Sequence, residues 1–257
     1  MSNGTGKKIA LLAVFLAMMI GLGVWITKFN PESGVQNSTV RKPQPAPKLD
    51  TVKLAGEWPQ IVAHAAAPVR GRASTRYTIV EFGDFQCPQC GKVRPLLEGL
   101  LQKYPSEVNL LFIHRPFPQL HQWAIPAGKA SEIAAAQGMF WPMYDKLYSH
   151  QDNLEPGYYG EYAAQMGMNK AGFQKAFDAG AGADKVAAAS AFSDAVGVQE
   201  TPTLLLRDNR KNTVTIYLGI DGTKNADGSL QYPGIKELVT KPPWNMATTA
   251  SLLPLPR

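Results

Sequence analysis

The sequence predicts an α/β fold, a mixed β-sheet interrupted by an all-helical insertion. Three observations carry that prediction. Two β-rich runs, Tyr77–Phe85 and Val108–His114, flank a segment with apolar residues at helical spacing. A stretch from about 117 to 196 then turns Ala-, Met- and aromatic-rich with helical signals throughout. Strand signals return at Thr203–Arg207 and Thr213–Leu218.

The chain has 257 residues, 45% of them apolar and 18% charged, as in an ordinary globular protein. Its net charge of +6 is unevenly placed. Residues 1–48 hold Lys7, Lys8, Lys28, Arg41, Lys42 and Lys48 against the single Glu32, a net +5. Residues 49–257 carry a net charge of only +1, so a nucleic-acid role loses its support.

Residues 1–8 read as a cytoplasmic N-terminus and Ile9–Thr27 as a transmembrane anchor. That run holds 19 residues without a charge. As a helix it spans roughly 29 Å, about the hydrocarbon thickness of a bilayer. Lys7 and Lys8 ahead of it favour a cytoplasmic start and an exported remainder. A cleaved signal peptide is the competing reading, although bulky residues in Gly23-Val-Trp-Ile-Thr27 spoil most small-x-small sites. Both readings place the folded part outside the cytoplasm, in the periplasm or an equivalent space.

Residues 28–56 are rich in Pro, Ser, Asn, Gln and Lys, with Arg41-Lys-Pro-Gln-Pro-Ala-Pro-Lys48 at their centre. Alternating prolines favour an extended, semi-rigid tether. Order is expected from about Trp58, with a short helix reaching toward Ala67, and the folded domain is assigned to 57–241. The strand Tyr77–Phe85 runs straight into Cys87. Pro88 suits the first position of a helix, because its missing N–H has no intrahelical partner there in any case. That helix continues to about Tyr104, with Val93, Leu96, Leu97, Leu100 and Leu101 on one face and Pro95 inside it. With Val108–His114 it makes a βαβ unit. Helical signals within the insertion cover Pro126–Leu147, Tyr158–Met166, Lys170–Ala179 and Asp184–Val196. The two later strands, joined by a turn at Asp208–Asn212, read as an antiparallel hairpin. A helix over Gly234–Val239 closes the domain, and the tail from 242 to 257 lacks periodicity.

The chain contains two cysteines, Cys87 and Cys90, three positions apart. A disulfide closing so small a loop removes roughly 2 kcal/mol of unfolded-state freedom before strain, which makes a poor staple. A structural zinc site needs four ligands, and no second Cys-x-x-Cys or closely spaced His pair completes one. Position argues instead for redox chemistry. A cysteine just before a helix N-terminus faces unpaired N–H groups and the positive end of the helix dipole, which favour the thiolate. Cys87 is therefore expected to be the exposed nucleophile and Cys90 the buried resolving thiol. No metal or organic cofactor is called for, since the pair itself carries the electrons.

The segment Phe82-Gly-Asp-Phe-Gln-Cys-Pro-Gln-Cys-Gly91 resembles the active-site segment of DsbA-like thiol–disulfide oxidoreductases of the thioredoxin superfamily. Val198-Gln-Glu-Thr-Pro-Thr203 is similar to that family's loop with a cis proline packed against the redox pair. His114-Arg-Pro-Phe-Pro-Gln-Leu-His121, with Gln137-Gly-Met-Phe-Trp141 behind it, resembles its helical insertion. The likeness covers about residues 70–240. It implies a thioredoxin-like fold with a cis peptide before Pro202, whose neighbour Thr201 pairs its backbone with an extended substrate. Glu81 falls where the family often has a buried acid, which implies a proton shuttle for Cys90; a satisfied acid with no catalytic part is the alternative. Pro88 and Gln89, the two central residues of the motif, would meet substrate. His114 and His121 are expected in core or solvent positions, and the aromatic and Met residues at 139–144 in the insertion's own core.

The implied activity is disulfide exchange with cysteine-containing extracytoplasmic proteins, with a membrane redox partner regenerating the pair. Pro88 resembles the oxidase and isomerase branches more than cytosolic thioredoxins. Gln89 carries no charge and stabilises a thiolate less than a histidine would. The reading leans to an oxidase, with isomerase, reductase and a chaperone-like binding module as alternatives.

Overall fold

In this computed structural model the described residues are 49–224 and 230–243. The expected cytoplasmic N-terminus, the anchor assigned to 9–27, the tether up to residue 48 and the C-terminal tail beyond Pro243 lie outside them. Among the described residues no helix is long and apolar enough to cross a membrane.

Ordered structure starts earlier than the sequence suggested. Asp50 caps α1 (Thr51–Gly56), its Oδ1 accepting from the backbone N–H of Val52 and Lys53 at 2.8 and 3.1 Å. Leu54 is buried, and α2 (Trp58–Ala63) comes next with buried Ile61. The end of the proposed tether is therefore part of the domain, because a cap and one large apolar residue suffice to dock a short helix.

The sheet has the order β2-β1-β3-β4. β1 (Tyr77–Gly83) and β2 (Val108–His114) are parallel and linked by α3 (Pro88–Lys103). β3 (Thr203–Asp208) runs antiparallel to β1, and β4 (Thr213–Leu218) antiparallel to β3. Both β1 and β2 are buried along their whole length, as expected of strands covered on both faces. Leu97 and Leu100 of α3 pack over Tyr77, Ile79 and Leu204 on one face. On the other, Val80, Phe82 and Leu205 meet Leu54 and Ile61.

β1 ends two residues before the expected Phe85. Asp84 turns the chain: its Oδ1 accepts from Gln86 N at 2.8 Å and its carbonyl from Cys87 N at 3.1 Å.

The insertion comprises α4 (Ala124–Ala135), α5 (Phe140–Ser149), α6 (Pro156–Gln165), α7 (Lys170–Asp178) and α8 (Ala183–Ala195). The helical stretch read over Pro126–Leu147 is two helices. Gly138 adopts φ +72°, and Met139 N returns to the Ala134 carbonyl at 2.9 Å, a left-handed termination that stops α4. Phe140, Met143 and Tyr144 belong to the insertion's core, which also takes in Cys87 and Cys90. A two-stranded ribbon, β5 (Thr223–Lys224) with β6 (Leu230–Tyr232), precedes α9 (Ile235–Thr240) and had no clear sequence signal.

Candidate active site

Cys87 is the N-cap of α3, with φ −69° and ψ 118°, and Pro88 opens the helix. The pair is in the dithiol form. Cys90 is wholly buried, whereas Cys87 keeps 6% of its surface, so the nucleophile shows only an edge. Pro88 and Gln89 beside it are exposed. The Thr201–Pro202 peptide is cis, and the Thr201 carbonyl receives the Cys87 thiol at 3.5 Å. Cys87, Cys90, Thr201 and Pro202 are thus brought to one place from loops more than a hundred residues apart in sequence.

The two sulfurs are driven apart in acidity. A hydrogen bond from the Cys90 thiol pulls the Cys87 pKa down to about 6 against the opposing effect of burial. A hydrogen bond from the Thr201 side chain and the backbone N–H groups of Cys90 and Gln89 act in the same direction. Burial, and then its bond to Cys87, push the Cys90 thiol far up. One sulfur is set to attack and the other to stay protonated until a disulfide forms beside it.

Glu81 lies on β1, fully buried, its register partners Phe112 on β2 and Leu204 on β3. Burial raises its pKa to about 7, although two phenols oppose this by donating to it. Tyr144 reaches Oε2 at 2.6 Å and Tyr148 reaches Oε1 at 3.2 Å. The negative charge of a Cys87 thiolate raises Glu81 a little further, and Glu81 in turn raises Cys90. Proton affinity near neutrality is what a group exchanging protons with a thiol needs.

Sequence reasoning missed the residues that brace this centre. Asp84, buried, also accepts through Oδ2 from Phe117 N at 3.0 Å and pairs with His121 Nδ1 at 2.8 Å. Gln86 Oε1 accepts from Trp123 N at 2.6 Å. Together they hold the 117–123 loop against the reactive loop. On the other side, Arg115 donates from Nε to the Val198 carbonyl at 2.9 Å and pairs with Asp194 at 2.6 Å, which fixes the approach to Thr201–Pro202. His114 is a core residue, its Nε2 2.9 Å from Oε1 of Glu132. The Asp-x-Gln spacing inside the motif and the i, i+4 placement of Tyr144 and Tyr148 were the available signals. The partners' distances along the chain kept both from being read.

A reactive thiol, a second thiol one turn away and a titratable carboxylate coupled electrostatically to both equip this centre for thiol–disulfide exchange. Among the described residues no group of His, Cys, Asp and Glu forms a metal-binding cluster.

Solved structures that share the fold include BdbD from Bacillus subtilis, at a TM-score of 0.54 and 23% identity, covering 68% of this chain and 92% of that one. The thiol–disulfide exchange protein alpha-DsbA2 from Wolbachia pipientis aligns at a TM-score of 0.56 and 16% identity, covering 65% of this chain and 87% of that one. Among curated sequences, the Na(+)/H(+) antiporter NhaA 3 of Salinispora tropica is 36% identical over 142 residues, 55% of this chain. The chain spans only 22% of that protein, about a fifth of its length. The Thioredoxin family matches residues 64–216, well over half of the sequence. The chain belongs to the thioredoxin family, with the fold of its DsbA-like members.

Proposed function

We propose that the protein is a membrane-anchored, extracytoplasmic protein disulfide oxidase working through Cys87-Pro88-Gln89-Cys90. The observation that carries this reading is the split acidity of the two thiols at the start of α3, Cys87 near 6 and Cys90 far above its usual value. A stabilised Cys87 thiolate favours the reduced form of the pair, and a pair that prefers to be reduced is an oxidant toward other thiols.

In the forward reaction a substrate thiolate attacks the Cys87–Cys90 disulfide at the Cys87 sulfur and forms a mixed disulfide, releasing the Cys90 thiolate. A second substrate thiolate then attacks the substrate's own sulfur and expels Cys87, whose low pKa makes it a good leaving group. Cys90 takes up one proton, through Glu81 in this reading, and two electrons remain on the pair. A membrane redox partner removes them. Substrate docks by backbone pairing at Thr201 beside Pro202, over the exposed Pro88 and Gln89. The uncharged run at 9–27 supports membrane attachment, and the Cys pair needs no further cofactor. Ion transport remains a property of the named antiporters.

The test is the equilibrium reduction potential of the Cys87–Cys90 pair against glutathione, measured on the whole chain. An oxidase requires a value at or above the poise of the oxidising compartment; one well below it makes the protein a reductase. Cys87→Ser removes turnover, and Cys90→Ser accumulates mixed disulfides with client proteins. Retention of client protection by Cys87→Ser would instead identify a binding module.

A further inference from the structure

The turn after α5 sends one side chain across the first turn of α3. The Gln151 amide Nε2 donates to the Phe85 carbonyl at 2.8 Å and to the Cys87 carbonyl at 2.9 Å. Both protons of one amide group are thereby spent on the backbone of the reactive loop. The Cys87 carbonyl is also the first acceptor of the helix, taking Gly91 N at 3.2 Å.

Gly91 is the counterpart of this reach. A Cβ there would stand 2.1 Å from Gln151 Oε1 and 2.8 Å from its Cδ. Nothing in the backbone asks for glycine, since Gly91 is not among the residues with positive φ. Glycine inside a helix is roughly 1 kcal/mol worse than alanine. What it supplies at this position is room for the amide.

We propose that Gln151 is a positioning residue for the reactive thiol, holding the Cys87 backbone so that its sulfur stays over the N–H groups that open α3. This inference rests on the thiol-exchange reading of the site. Without the amide, the Phe85 and Cys87 carbonyls lose a shared donor and the N-cap geometry loosens. The N–H groups of Gln89 and Cys90 then point less well at the sulfur, and the thiolate loses stabilisation. The helical insertion accordingly acts on the redox chemistry as well as covering it.

Three variants of the full chain test this: Gln151→Ala, Gly91→Ala and the double substitution, each read by the pH dependence of Cys87 alkylation, the glutathione equilibrium and thermal unfolding. Gln151→Ala is expected to raise the Cys87 pKa, lowering the thiolate fraction about three- to tenfold below that pKa. The pair becomes correspondingly less oxidising. Gly91→Ala, by displacing the amide, gives the same chemical change. In the double variant Gly91→Ala adds no further pKa shift, and there it raises Tm because alanine is the better helix former. An unchanged pKa and potential in a folded Gln151→Ala protein overturns the proposal, as does a Gly91→Ala shift that persists undiminished when residue 151 is alanine. A wild-type chain unable to exchange disulfides at all would overturn the function itself, a distinct result.

Discussion

Tyr144 donates its phenolic proton to Oε2 of Glu81 at 2.6 Å, both residues being fully buried. The contact sets two opposing tendencies against each other. Burial favours the neutral acid, and the phenol favours the anion. Replacing Tyr144 with Phe removes the donor at little change in volume. Glu81 is then expected to titrate above its present value of about 7. Leaving a buried carboxylate oxygen without its partner costs about 1–3 kcal/mol. Infrared titration of the carboxyl band, together with thermal unfolding, checks both effects. A destabilised protein whose carboxyl titrates as before would show that Tyr144 only packs.

The same carboxylate makes stability fall as pH rises. The folded state holds the Glu81 proton up to about pH 7, whereas the unfolded chain releases it near 4.5. Between those values the native state binds more protons, so the free energy of unfolding decreases with pH, by roughly 3 kcal/mol over the window. Cys87 acts in the opposite sense above about pH 6, where the folded thiol ionises before the unfolded one. Denaturant titrations of the reduced protein between about pH 4.5 and 6 therefore isolate the carboxylate. Glu81→Gln is expected to flatten that slope, and an unchanged slope would remove Glu81 as its origin.

Alkylation separates the two sulfurs directly. Iodoacetamide should label Cys87 with a half-maximal rate near pH 6, the pKa set chiefly by the Cys90 hydrogen bond. Cys90, buried and held protonated, should stay unlabelled across the neutral range. In Cys90→Ser the hydroxyl is a donor of similar reach, so the Cys87 value should move less than in Cys90→Ala. Equal shifts in the two variants would mean that the helix terminus, rather than the neighbouring side chain, governs Cys87.

Asp84 joins the reactive loop to the 117–123 loop through three acceptor contacts, to Gln86 N, Phe117 N and His121. Asp84→Ala leaves those donors short and is expected to cost roughly 2–4 kcal/mol. Asp84→Asn keeps an acceptor oxygen and should cost less. Limited proteolysis of the folded variants is expected to cut first between 117 and 123, around exposed Leu120. Cleavage elsewhere, with that loop intact, would contradict the bracing role.

The parts of this architecture that were legible in the sequence are those written locally. β1 and β2 are dominated by β-branched, aromatic and leucine residues, and Val108–His114 matches the strand residue for residue. Pro88 after Cys87 marked the start of α3. The break between α4 and α5 was written in Gly138, but the helical pattern on both sides masked a single residue in the left-handed region. α1 escaped because its signal is one cap and one buried leucine after a run of prolines. Within the site, the cysteines, Glu81 and Thr201–Pro202 sit in recognisable motifs. The bracing roles of Asp84, Arg115 and Gln151 were not legible, because what defines each is a partner 33 to 83 positions away along the chain. No periodicity or spacing encodes such a contact.

Gly83, the last residue of β1, constrains how the protein can change. A Cβ there would lie 2.4 Å from Phe112 Cε2, 2.7 Å from the Tyr148 hydroxyl and 3.0 Å from Glu81 Oε1. The smallest possible side chain would thus part Tyr148 from the carboxylate. A lineage remodelling the insertion for different clients can vary the outward surface of α5 freely. At this crossing it inherits a fixed clearance, and the history of client choice is tied there to the history of proton handling.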